Sequence, residues 1–281
     1  MRPRLAGEFI DGRAGPLAVV SWEPPPGTPI RFAVLHVPAA LEEMNKSRRM
    51  VALQARALAD LGGLVAILDP RGTGDSAGTH ALASWEGWRE DVVSAWQWLC
   101  ERVTSPSLLW GSRLGALLAV DLEARGAVDP SMLLLWQPVS SGRGFFNQFL
   151  RLAAVSQMGD AGERTSPSTR ERLDAGEPVE VAGYVVDPAL VAGAAASELG
   201  PLSPRVPVMW RETTIATPAD LAPVSSKVVA RWRSEGVEVD AAAVCGSSFW
   251  SSQEIAEAPQ LIESTTRGVA QFVERLVGVM A

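Results

Sequence analysis

The stretch Ser107-Leu-Leu-Trp-Gly-Ser-Arg-Leu-Gly-Ala-Leu-Leu-Ala-Val120 holds the pattern best suited to chemistry. A short apolar run meets a glycine-flanked turn, and an apolar helical pattern starts at once. Strand, sharp turn and helix form the setting of a nucleophile elbow, in which the middle residue of G-x-S-x-G is lifted above a sheet to attack a carbonyl. Gly111 and Gly115 sit at that spacing. The residue between them is Arg113, and the only serine of the turn, Ser112, stands one place early.

A serine nucleophile needs a base to take its proton and an acid to orient that base. The chain has two histidines, His36 and His80, and both precede the elbow. Ser112 either attacks from a turn shifted by one residue or is a small residue fitted to a tight bend. His36, at the end of an apolar run, is either an unorthodox base reaching the elbow or a satisfied core histidine. His80 reads as loop surface. Gly74-Asp-Ser-Ala-Gly78 matches G-x-S-x-G literally, but it lies in a loop, so Ser76 lacks the setting that the motif requires.

Arg113 also has two readings. An arginine at the top of a sheet is half-buried and must find a carboxylate; Glu43 and Glu212, both near strand ends, are the candidates. A guanidinium beside a helix N-terminus also suits an anion, since it reads carboxylate or phosphate bidentately. The two readings are compatible, because an Arg113–Glu43 pair can floor a pocket. Glu42, Glu43 and Asn45 act in chemistry or cap a helix. Phe249 and Trp250 suit packing or a sugar or acyl group. Asp69 and Arg71 read as fixing their own loop. Phe145, Phe146, Phe149 and Leu150 pack a cap or roof an apolar pocket.

The elements that position these residues alternate. Strands are expected at Leu17–Trp22, Arg31–Val37, Leu64–Leu68, Leu108–Trp110, Met132–Val139, Val206–Trp210 and Val237–Val244. A further short strand is expected before Leu17. Helices fall between them. One is capped by Asn45 or Ser47 and ends at Gly62, one is capped by Ser84, and one follows the elbow to Gly126. Another starts at Thr217-Pro218-Ala219-Asp220, and a last one runs from Pro259 to about Val279. Apolar runs alternating with amphipathic helices predict an α/β fold, with a mostly parallel sheet and helices on both faces. The alternation fails over residues 140–205, which reads as an inserted cap on a core of residues 1–139 and 206–281.

A net charge of −7 argues against a nucleic-acid surface. Cys100 and Cys245 lie far apart, forming neither a disulfide framework nor a metal pair, and read as buried thiols in a reducing compartment. The first residues lack the apolar core of a secretory signal, and no run approaches a bilayer span. A soluble, cytoplasmic protein without cofactor or metal is expected, its ligand a small molecule.

The order of elements resembles the α/β-hydrolase superfamily over nearly the whole chain, through the Asp69-x-Arg-Gly-x-Gly-x-Ser76 loop, the Gly111–Gly115 turn and the placing of the cap. More closely, the sequence is similar to a bacterial family, the second type of exosortase-A-system-associated hydrolases. The matching stretches are Glu42-Glu-Met-Asn-Lys-Ser-Arg-Arg-Met50, Gly74-Asp-Ser-Ala-Gly78, Trp136-Gln-Pro-Val139, Gln148-Phe-Leu-Arg151, Val181-Ala-Gly-Tyr184 and Phe249-Trp250. Ala39-Ala40-Leu41 departs from that family's proline and aromatic. The resemblance implies a hydrolase of an acyl ester or related bond, tied to exopolysaccharide and with exosortase-system proteins as partners. The α/β-hydrolase order implies a catalytic histidine after the last strand. Here that loop reads Cys245-Gly-Ser-Ser-Phe-Trp250 and holds none. The alternatives are a catalytically inactive hydrolase fold that binds an anionic or amphipathic ligand at Arg113, and a scaffold for neighbouring machinery.

Overall fold

A computed structural model describes residues 2–157 and 168–280. The chain opens with an antiparallel hairpin, β1 (Arg4–Gly12) and β2 (Gly15–Glu23). It continues through β3 (Phe32–Val37), α1 (Glu42–Asp60), β4 (Gly63–Leu68), α2 (Trp85–Arg102), β5 (Ser107–Ser112), α3 (Leu114–Ala124) and β6 (Met132–Trp136). After an excursion come β9 (Val208–Thr214), α7 (Pro223–Ser234), β10 (Val239–Cys245) and α8 (Pro259–Met280). The excursion holds α4 (Gly142–Gln157), α5 (Thr169–Asp174), a small hairpin of β7 (Val179–Val181) and β8 (Tyr184–Val186), and α6 (Pro188–Ala195). The amphipathic piece expected at Phe145–Val155 falls in α4; of its side chains, those after Arg151 lie outside the described residues.

Eight strands form one sheet in the order β1-β2-β4-β3-β5-β6-β9-β10, parallel from β4 onward and antiparallel at the β1–β2 edge. β3, β5 and β6 are buried at every position, as strands covered on both faces must be. Alternation sends their residues to two cores. Leu35, Leu109, Leu133 and Leu135 meet α2 and α3. Phe32, Val34, Trp110, Leu134 and Trp136 meet α1 and α8. His36 and Ser112 continue the second set, two residues beyond Val34 and Trp110.

Three local expectations are corrected. α1 begins at Glu42, earlier than Asn45 or Ser47, with no side-chain cap. Its first turn carries Glu42 and Glu43, which suit the positive end of the helix dipole, while Asn45 spends its amide on the Tyr184 hydroxyl at 2.8 Å. The helix expected from Thr217 begins instead at Pro223. Starting at Pro218 would bury Pro223 in the helix interior, where its ring meets the carbonyl four residues back. Both cysteines are exposed, not buried: Cys100 lies on the outward side of α2, and Cys245 ends the edge strand β10. The cap on α2 is as expected, since Ser84 Oγ accepts from the Gly87 amide at 3.0 Å.

Candidate functional site

The elbow forms at the C-terminal end of β5. Arg113 adopts φ 55°, ψ −120°, a conformation L-residues resist, and α3 starts at the next residue. The flanking glycines allow close contact there. A Cβ on Gly111 would stand 2.4 Å from Ala116 Cα, and one on Gly115 would stand 2.2 Å from the Pro38 carbonyl oxygen. The local geometry is thus that of a nucleophile elbow with an arginine at its apex.

That arginine is held by three partners. Its Nε and Nη2 donate to Glu43 at 3.1 and 2.9 Å, in the bidentate fork that suits guanidinium and carboxylate. Nη1 donates to the Gln137 carbonyl at 3.2 Å. The Trp250 ring lies 4.9 Å from the guanidinium carbon, within cation–π range. Of the two expected carboxylates, Glu43 is therefore the partner. Glu212 is not, because it accepts from Trp210 Nε1 at 2.8 Å and from the Ala222 amide at 3.0 Å. With three of five donors engaged and the charge matched, Arg113 is a structural centrepiece more than a free anion receptor.

The two weak catalytic candidates meet. His36 Nε2 lies 3.0 Å from Ser112 Oγ. Both are buried on the α1–α8 face, and His36 packs 4.3 Å from the Trp110 ring. Burial, helped by the positive charge of Arg48, lowers the His36 pKa from 6.5 to about 3. A useful general base titrates near the working pH; this imidazole titrates well below it. Ser112 shares the face of Trp110 and His36 below the elbow and is buried there.

The remaining residues have structural partners. Ser76 Oγ accepts from the Ala18 amide at 2.7 Å and donates to the Asp69 carbonyl. Asp69 accepts from Arg48 at 3.3 Å and from its own loop at the Asp75 amide. Arg71 ties the same loop to α2 through Asp91. His80, expected at the loop surface, is half-buried: its Nδ1 meets the Val185 carbonyl at 2.9 Å, joining loop to excursion. Phe249 packs against Trp136. Gln137 was not anticipated. Besides taking the Arg113 bond, it accepts from the Thr213 amide at 2.8 Å and so locks the ends of β6 and β9; the Trp-Gln-Pro-Val stretch was its only signal.

Above Glu43 lies a pocket of about 360 Å³. Glu43, Lys46, Phe145, Gln148, Phe149 and Trp250 line it. A larger hollow of about 700 Å³ sits at the opposite end, beside Val208, Glu238 and Phe272. Ligands of open parallel sheets bind beyond the carboxyl ends of the strands, so position favours the smaller pocket. Among the described residues no cluster of three metal-ligating side chains occurs, and no helix is long and apolar enough to cross a membrane.

No family model matches the chain, and no curated protein does. Solved structures do. Est1E from Butyrivibrio proteoclasticus, solved with ferulic acid bound, aligns with a TM-score of 0.63 at 14% identity, covering 96% of this chain and 99% of that one. The chain has the α/β-hydrolase fold. Mouse α/β-hydrolase domain-containing protein 10 aligns with a TM-score of 0.60 at 20% identity, over 96% and 99% of the two chains. A soluble variant of monoglyceride lipase from Saccharomyces cerevisiae gives 0.60 at 14% identity, over 98% and 96%. In an α/β-hydrolase the triad runs nucleophile, acid, histidine. Here Arg113 takes the first place, and the loop that would carry the histidine brings Trp250 onto that arginine.

Proposed function

We propose that this α/β-hydrolase fold binds an amphipathic, acyl- or sugar-bearing small molecule in the pocket above the elbow, without a serine nucleophile. One observation carries the reading: the nucleophile position holds Arg113, clamped by Glu43 and covered by Trp250. Loss of nucleophile and base removes several orders of magnitude of rate, yet the pocket persists. Phe145, Phe149 and Trp250 supply an apolar side, and Glu43, Lys46 and Gln148 a polar one. Residues 140–205 serve as the cap, pinned to α1 by the Asn45–Tyr184 bond. The resemblance to exosortase-associated proteins makes a lipid- or acyl-linked exopolysaccharide component the natural ligand.

A second reading is hydrolysis of an acyl ester by a non-standard site. It is favoured by the Glu43 carboxylate, which lines the pocket on a fixed counter-ion and is placed to activate water directly. Three measurements on the intact protein separate the readings. Monolaurin and octyl glucoside, below their critical concentrations, should bind by calorimetry, and Gln148→Trp should remove that binding. A fluorophosphonate probe should leave the protein unlabelled, and p-nitrophenyl acyl esters should not turn over. Ser112-dependent labelling would overturn the non-serine reading. Ester turnover abolished by Glu43→Gln would select the second reading, and absence of any binding would refute both.

A further inference from the structure

A second cavity, of about 210 Å³, lies on the other side of α1, against β2, β3 and β4. It is mostly apolar, with Trp22, Val51 and Ile67 among its walls. Leu5 and Val20, two of the few large apolar residues left exposed, line it as well, so it communicates with the surface. Two uncharged polar side chains interrupt the apolar lining. His36 and Ser47 are both almost wholly buried, at 1% and 2% exposure. His36 Nδ1 and Ser47 Oγ have no hydrogen-bond partner. Buried polar atoms without partners are rare in native proteins and call for an explanation. Two of them belong to residues that line one cavity.

We propose that this cavity is a binding site for a small, uncharged, mainly apolar molecule bearing one hydroxyl, of the phenol or medium-chain alcohol class. The size fits, since an engineered apolar cavity of about 150 Å³ admits benzene. The charge fits as well. The only ionic side chains on the lining, Arg48 and Asp69, neutralise each other at 3.3 Å, and burial keeps the imidazole neutral. A hydroxyl both donates and accepts, so it can join His36 Nδ1 and Ser47 Oγ whichever tautomer the ring holds. The site also reaches the elbow. His36 Nε2 is bonded to Ser112, so a ligand that fixes the proton on Nδ1 makes Nε2 the acceptor from Ser112. The cavity and the elbow thus share one imidazole, with Nδ1 on the cavity side and Nε2 on Ser112 directly beneath Arg113. This site is separate from the pocket proposed above, and either can exist without the other.

Phenol titrated into the intact protein, followed by calorimetry and NMR, tests the inference. Saturable one-to-one binding is expected, with intermolecular contacts from ring protons to the Val51 and Ile67 methyls. Toluene, lacking the hydroxyl, should bind about fivefold more weakly or worse. Ser47→Ala should weaken phenol three- to tenfold and leave toluene unchanged. Ala52→Trp, which fills the cavity, should remove binding of both, whereas Gln148→Trp in the elbow pocket should change neither. The inference is overturned if phenol does not bind up to its solubility limit, if the methyl contacts fall elsewhere, or if toluene binds as tightly as phenol. The contacts are read on the wild-type protein, so the test holds even if a variant folds poorly.

Discussion

Replacing Arg113 separates what its side chain contributes from what its backbone conformation costs. Arg113→Ala removes the fork to Glu43, the bond to the Gln137 carbonyl and the stack on Trp250. The pair is 16% and 20% exposed, between the surface case, worth about 0–1 kcal/mol, and the buried case, whose breaking costs about 3–5 kcal/mol; about 2 kcal/mol is a fair middle. The carbonyl bond adds about 1 kcal/mol and the stack about 0.5–1 kcal/mol. Alanine should therefore lose about 3–4 kcal/mol, or roughly 6–12 °C in Tm for a chain of this size. Alanine keeps the strain of φ 55°, ψ −120°, which costs of order 1–3 kcal/mol for a residue with a Cβ. Glycine loses the same contacts but sheds that strain, less about 0.5–1 kcal/mol from its freer unfolded chain. Arg113→Gly should thus be more stable than Arg113→Ala by about 1 kcal/mol, the reverse of the usual order near a helix. Equilibrium unfolding in guanidinium chloride with matched m-values measures both. A loss below 1 kcal/mol for alanine, or glycine no better than alanine, refutes the strained and clamped elbow. A cycle with Glu43→Gln should show coupling of about 1–2 kcal/mol.

Other outcomes follow from the same geometry. The His36 pKa is lowered from 6.5 to about 3, so the unfolded chain binds the extra proton between those values. Stability is intact above pH 6.5 and falls as pH drops toward 3, by roughly 2–3 kcal/mol at pH 4.5. Urea unfolding of wild type and His36→Gln across that window should show curves converging as pH falls, and parallel curves would count against a neutral buried imidazole. Asp91 is fully buried and accepts the Arg71 amide at 2.7 Å and its guanidinium at 2.7–3.0 Å; Asp91→Ala should destabilise by about 3 kcal/mol or more, seen as a lower denaturation midpoint. Gly115→Ala sets a Cβ 2.2 Å from a backbone oxygen and should cost at least about 3 kcal/mol, read as loss of soluble folded protein or a large fall in Tm. Both thiols should react with Ellman's reagent in the native state, since both cysteines are exposed; a single reactive thiol would contradict that placement.

The sequence made the sheet legible because its interior strands carry the continuous apolar runs that burial on two faces demands. Each of β3, β4, β5, β6, β9 and β10 falls within about two residues of its expected start. The helix starts were harder. Prolines 218 and 223 both fit a first turn, and only their mutual spacing decides between them. Glu43 could be shortlisted beside Glu212 because both follow strands, but choosing between them required knowing that Glu212 is consumed by Trp210 and Ala222. The His36–Ser112 contact was readable in principle. Parallel pairing sets His36 beside Trp110, and the period of two then turns Ser112 to the same face. Register between strands distant in sequence is what a single chain does not display.

The backbone bears on whether the site is kept or a relic. Among the described residues four other than glycine have positive φ: Leu41, Arg113, Gln137 and Ala182. Three of them converge on one ion pair. Leu41 immediately precedes the helix that carries Glu43 and lines the pocket; Arg113 is the elbow; Gln137 offers its carbonyl to the guanidinium. Strain of this kind, of order 1–3 kcal/mol at each residue, persists only where surrounding structure enforces it, and it clusters at sites that do something. A fold that had merely lost its nucleophile could relax each position with glycine and keep its core. Here the strained turns instead hold the Arg113 guanidinium against Glu43, and Glu43 with Trp250 lines the pocket, the arrangement that the proposed binding function requires.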